Sequence, residues 1–134
     1  MRSRGSGSVS VFFSIMALGW VTILVLIIAG GGRVRAYQRA DNIAAEAARV
    51  AGQAIELPAA VAGDEKRIDP VRARLVALAY LRDAGATGDV TVAEDGQSVR
   101  VTATVAYENP SGFPFLGGKF WYATGAATAV LLVG

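Results

Sequence analysis

The chain contains no cysteine and no histidine among its 134 residues. The first absence removes thiol nucleophiles and disulfides, and the second removes Ser-His and Cys-His pairs and the side chain that titrates near neutral pH. Together they also remove zinc sites built from Cys or His. Without cysteine, the redox compartment cannot be read from disulfides. A clustered basic face is lacking too. The net charge of +2 comes from Arg2 and Arg4, and the other basic residues balance the 11 acidic ones. The pI of 9.3 is therefore no nucleic-acid footprint. An enzyme is the least expected class.

Charge is also missing along one stretch, and this absence is the most informative. From Gly5 to Gly32 no residue is charged, and Val9 to Ala29 (VSVFFSIMALGWVTILVLIIA) is almost wholly apolar. At a 1.5 Å rise per residue this core spans about 30 Å, the thickness of a bilayer's hydrocarbon layer. A helix packed on a soluble domain keeps one polar face, and this one has none. A secretory signal would have a shorter apolar core ending at an A-x-A-like site, so the pattern favours an uncleaved membrane anchor. Arg2 and Arg4 flank one end and Arg33, Arg35 and Arg39 the other, so charge alone leaves the orientation open.

Beyond the run, Gly30-Gly31-Gly32 reads as an elbow, each glycine costing about 1 kcal/mol relative to alanine in a helix. Arg35, Arg39, Asn42, Glu46, Arg49 and Gln53 then recur at helical spacing opposite Ala36, Ala40, Ile43, Ala47, Val50 and Ala54. This predicts an amphipathic helix with a narrow alanine face, ending at Leu57-Pro58. Residues 59–67 read as a linker. Asp69-Pro70 opens a second helix to about Asp83, with Val71, Leu75, Leu78, Ala79 and Leu81 or Arg82 as its apolar face. From Val90 the period becomes two. Asp95-Gly96 predicts a hairpin turn that sets Glu94 against Gln97, Val92 against Val99 and Val90 against Val101, with Val99, Val101, Ala103, Val105 and Tyr107 on one face. A Pro/Gly loop from Glu108 to Lys119 follows, then a third strand from Phe120 to Val133. Gly125 within it marks a bulge or a close helix crossing.

The expected fold is thus α+β: an N-terminal transmembrane helix extended by an amphipathic helix, a second helix and a three-stranded antiparallel sheet. The corresponding regions are a basic tail (1–8), the span (9–30), the amphipathic helix (31–57) and a small head (58–134). This pilin-like plan acquires a family likeness from three stretches: Arg4 to Phe12 leading into the span, Gly30 to Ala36, and Arg39 to Arg49 (RADNIAAEAAR). They resemble the TadE/TadG-like proteins of tight-adherence (Flp) pilus assembly over roughly the first 55 residues. The resemblance implies a minor pilin or pseudopilin in the inner membrane, N-terminus cytoplasmic and head outside. Its expected partners are membrane lipid and other pilin-like subunits or pilus and secretion machinery.

Family members processed by a prepilin peptidase are cut after a glycine and carry a glutamate five residues on. If Gly7 is that glycine, Ser8 becomes the new N-terminus and Phe12 occupies the glutamate's place. Phe12 cannot pair with a neighbour's amine in apolar surroundings. The departure favours an unprocessed, membrane-anchored assembly factor, with a position at a pilus tip as the alternative.

Candidate contact residues are few. Ser10, Ser14 and Ala17 share a face of the span and would permit close approach of another span. Trp20 lies mid-span, facing protein or lipid. Phe113, Phe115 and Leu116 sit on the Pro/Gly loop, either tucked under it, the ordinary outcome, or presented to a partner. Asp64-Glu65 and Glu94-Asp95 read as solvated pairs, and the glycines match no phosphate-binding loop. No cofactor, metal, nucleic acid or small-molecule substrate is expected. The leading expectation is a structural component of a pilus or secretion assembly, and the alternative is a membrane-tethered extracytoplasmic binding module.

Overall fold

The computed structural model describes residues 3–132 except 111 and 116. Its first element, α1 (Ser3–Gly52), is one unbroken helix. The elbow expected at Gly30–Gly32 does not form, because the helical ladder runs straight through the glycines. Gly32 has a packing role instead: a Cβ there would lie 3.2 Å from the Pro110 Cβ. Along the first half of α1, every large apolar side chain from Val9 to Ile28 is exposed. In the second half, Ala36, Ala40, Ile43, Ala44, Ala47, Ala48 and Ala51 are buried; the predicted stripe gains Ala44, Ala48 and Ala51, while Val50 is only half-buried and Ala54 is buried just beyond the helix end.

The helix stops at Gly52, before the predicted Leu57-Pro58, for two reasons. A Cβ at Gly52 would sit 3.3 Å from that of Ala129, so the glycine lets the sheet close over the helix end. Ile55 then leaves the helix to form an antiparallel bridge with Ile68, supported by bonds from the Glu56 N–H to the Arg67 carbonyl (2.9 Å) and from the Asp69 N–H to the Ala54 carbonyl (2.8 Å). The predicted linker contains a short helix, α2 (Leu57–Ala62). Pro58 fits its first turn, where no N–H is required.

The next helix, α3 (Pro70–Asp83), opens as predicted, with the Asp69 carboxylate accepting from the N–H groups of Val71 (3.0 Å) and Arg72 (3.1 Å). It closes on Gly85 at φ +73°, with the Ala86 N–H bonded to the Leu81 carbonyl at 2.8 Å. Of the predicted face only Leu81 is buried. Ala73, Ala77 and Leu81 face inward, while Val71 and Leu75 are 70% and 65% exposed. Residues at i, i+4 and i+7 are apolar on both sides of this helix, so periodicity could not choose between them. The choice follows from α1: against an alanine face the closest helix approach comes from alanines on the partner, Ala73 and Ala77.

The sheet is antiparallel with strand order β1 (Thr87–Val92), β2 (Ser98–Glu108), β3 (Phe120–Val130). Val90 pairs with Val101 and Val92 with Val99, as the valine pattern predicted. The turn is centred one residue earlier than predicted. The Gly96 N–H bonds to the Ala93 carbonyl at 2.9 Å, and Gly96 rather than Asp95 takes the left-handed position at φ +67°. Strand β3 ends at Val130, short of the predicted Val133, which lies outside the described residues. Gly125 marks a close crossing: a Cβ there would collide with the backbone of Ala40 and Asp41. Val99, Val101, Ala103, Val105 and Ala123 are buried on the helix-covered face. The other face is open and polar in style, with a Thr104–Thr124 hydroxyl pair at 2.9 Å across it.

Candidate functional site

The N-terminal candidates all lie on the exposed half of α1. Gly7 and Ser8 are helical, and the Ser8 hydroxyl donates to the Gly5 carbonyl at 3.3 Å. Phe12 is 57% exposed and meets Phe13 edge-on, with ring centres 6.0 Å apart. Ser10, Ser14 and Ala17 are exposed along one face, and the Ser14 hydroxyl is satisfied by the Ser10 carbonyl at 2.9 Å. A helix interior can hide a hydroxyl this way without water. Trp20 is exposed and belongs to a shallow groove with Phe12, Ile15, Met16, Gly19 and Ile23. At about 100° per residue this groove lies on the other side of α1 from Ser10, Ser14 and Ala17. The notch at Gly19 was not singled out from the sequence, where one glycine in an apolar run carries little signal. By length and composition, α1 is the one helix among the described residues able to cross a membrane.

The head candidates gather at the opposite end of the sheet from the β1–β2 turn. The loop joining β2 to β3 is held by Asn109, the buried polar side chain among the described residues. Its Nδ2 donates to the carbonyls of Phe113 (3.2 Å) and Gly118 (2.8 Å), and its backbone N–H donates to the Lys119 carbonyl (2.9 Å). These bonds turn the loop's carbonyls inward and leave its rings outside. Phe113 and Phe115 are 52% and 79% exposed and lie against each other with ring centres 5.4 Å apart. They are not tucked under the loop as expected. Leu116 lies outside the described residues. Asn109 was missed in the sequence because an asparagine before a proline reads only as a turn signal.

Beside the loop is an open cleft of about 470 Å³, lined by Arg33 and Tyr37 of α1 with Tyr107, Phe120, Trp121 and Tyr122. Tyr107 and Trp121 pack edge to face at 88°. The Trp121 indole N–H donates to the Gly117 carbonyl at 2.9 Å. Gly117, at φ +97°, has no room for a Cβ beside that indole nitrogen. The Arg33 guanidinium stands 5.7 Å from the Tyr37 ring centre, and Lys119 Nζ 5.6 Å from that of Phe120. The hydrogen bond with Tyr37, then the fields of Tyr37 and Tyr107, raise Arg33 above its ordinary value.

The acidic pairs are exposed. Glu65 lies 4.0 Å from Arg67, and Asp95 accepts from the Gln97 N–H within its turn at 2.9 Å. Among the described residues, no group of three Asp or Glu side chains is placed to hold a metal ion. What the site offers is aromatic surface flanked by cations. Compared with known proteins, the chain matches no family model, no curated protein sequence and no solved structure.

Proposed function

We propose that the chain is a single-pass, pilin-like structural subunit of a tight-adherence type pilus or secretion assembly, its N-terminus cytoplasmic and its head outside the inner membrane. The observation that carries this reading is the division of one continuous helix, Ser3–Gly52, into a fully exposed apolar half and a half clamped under a sheet through alanines. A stem of that kind anchors a small head and offers its free length for lateral packing.

Two further surfaces support assembly over solitary action. The edge strand β3 carries no charge and no proline from Phe120 to Val130, the devices that ordinarily keep an edge from pairing with another chain. On α3, Val71, Leu75 and Leu78 form an exposed apolar stripe. Phe12 in place of an acid favours an unprocessed anchor over a fibre subunit joined by charge pairing. Purification of the tagged full chain from native membranes tests the proposal. Co-recovery of pilin-like proteins, a secretion ATPase or a platform membrane protein is expected, while a monomer retaining a small ligand would instead identify a tethered binding module. A mature N-terminus at Ser8 in mass spectrometry would overturn the unprocessed form.

A further inference from the structure

The alignment of the β2–β3 hairpin along α1 fixes where its loop lies. Ala129 packs at Gly52, Gly125 at Ala40 and Asp41, and Pro110 at Gly32. The hairpin therefore runs down the helix, and its loop reaches the end of the apolar run. With a rise of 1.5 Å per residue, Gly32 stands only about 3 Å beyond Gly30. The headgroup layer on each side of a bilayer is roughly 5–7 Å thick. A loop seated on Gly32 lies within that layer once the apolar half of α1 is in a membrane.

We propose that the Asn109–Lys119 loop is a second membrane contact, with Phe113 and Phe115 resting in the lipid headgroup region beside the span. This rests on the span reading above and adds a lipid partner for the head. The composition fits that depth. Outside the apolar run, every aromatic residue except Tyr80 belongs to this end of the head: Tyr37, Tyr107, Phe113, Phe115, Phe120, Trp121 and Tyr122. Aromatic rings concentrate at this level in membrane proteins because they combine apolar faces with tolerance of a wet boundary.

The charges fit as well. The loop has no acidic residue between Asn109 and Lys119. Lys119 and Arg33 stand over neighbouring rings, where long cationic side chains can reach lipid phosphates while their stems cover apolar surface. The Asn109 brace matters too, since it satisfies loop carbonyls that would otherwise compete for water. The loop thereby becomes a foot that fixes the head's tilt on the membrane.

The absence of cysteine makes the test direct. Single variants Phe115→Cys, Glu94→Cys and Ile23→Cys of the full chain carry a nitroxide label in phosphatidylcholine–phosphatidylglycerol vesicles, and collision with oxygen is compared with collision with a water-soluble nickel chelate. The expected oxygen-to-nickel ratio at 115 is several-fold above that at 94 and approaches, without reaching, that at 23. A ratio at 115 equal to that at 94, with 23 deep in the bilayer, overturns the loop contact alone. An aqueous label at 23 overturns the span reading and the loop contact with it. A label at 115 shielded from both probes shows protein covering the loop and also overturns the proposal.

Discussion

The two halves of α1 both carry apolar side chains, all round in the first and along a narrow alanine face in the second, and meet opposite surroundings. From Val9 to Ile28 the side chains are mostly large and are exposed, whereas from Ala36 to Ala51 the inward ones are mostly alanine and buried. Burial within this protein thus follows how closely a neighbour can approach, not how hydrophobic each residue is. An alanine side chain removes little apolar area from water, but it lets two backbones come near enough for dense packing along their length. The exposed half presents far more contiguous apolar surface than the few hundred Å² usual on a soluble monomer. That half is long and apolar enough to cross a membrane, and the alanine half is where the head attaches.

Gly125 is the sharpest point of that attachment, so its replacement should break the comparison most severely. In Gly125→Val the new side chain meets the backbone of Ala40 and Asp41, which cannot rotate aside. A loss of about 3 kcal/mol or more is expected, at the upper end for overpacking. Denaturant unfolding of the full chain in detergent micelles measures it. An unchanged midpoint would mean that helix and sheet are not in contact there.

Ala47→Leu probes the same interface one step more gently. The residue is fully buried, and an inserted isobutyl group should cost roughly 1–3 kcal/mol. The paired control is Leu18→Ala on the exposed half, which should leave head unfolding within about 0.5 kcal/mol of the original although it deletes the larger apolar group. Equal losses in the two variants would erase the distinction between the halves.

Much of this architecture was legible. The uncharged run, the alanine stripe, the Asp69 cap and the valine register each rest on local chemistry that nothing distant opposes. The misreadings share a different cause. On α3 two apolar stripes compete, and only the alanine face of α1 decides between Ala73–Ala77 and Val71–Leu75. Gly30–Gly32 reads as a break when considered alone, whereas the helix continues and Gly32 receives Pro110 from far along the chain. Phe113 and Phe115 were visible as candidates, but their level beside the apolar run depends on how the hairpin lies on α1. The turn at Gly96 shifted by one residue because the glycine serves the left-handed position that closes the turn, not its centre.

The start of α3 allows a smaller and well-bounded test. Asp69 satisfies two N–H groups that have no partner within the helix, so Asp69→Ala should cost about 1 kcal/mol. Asp69→Asn, which keeps the acceptor, should recover most of it in the same unfolding assay. If both variants lose equally, charge rather than capping holds the helix start.

Leu75→Ser carries the smallest expected effect and bears on the exposed stripe. A leucine packed in the core would cost several kcal/mol on truncation, yet Leu75 points away from α1 and the sheet. The change should shift head stability by no more than about 0.5 kcal/mol. A loss of 2 kcal/mol or more would return α3 to the face its periodicity first suggested. With stability unchanged, any weakening by Leu75→Ser of co-purification with the proposed assembly partners reports contact between chains, because the variant leaves the fold that presents the stripe intact.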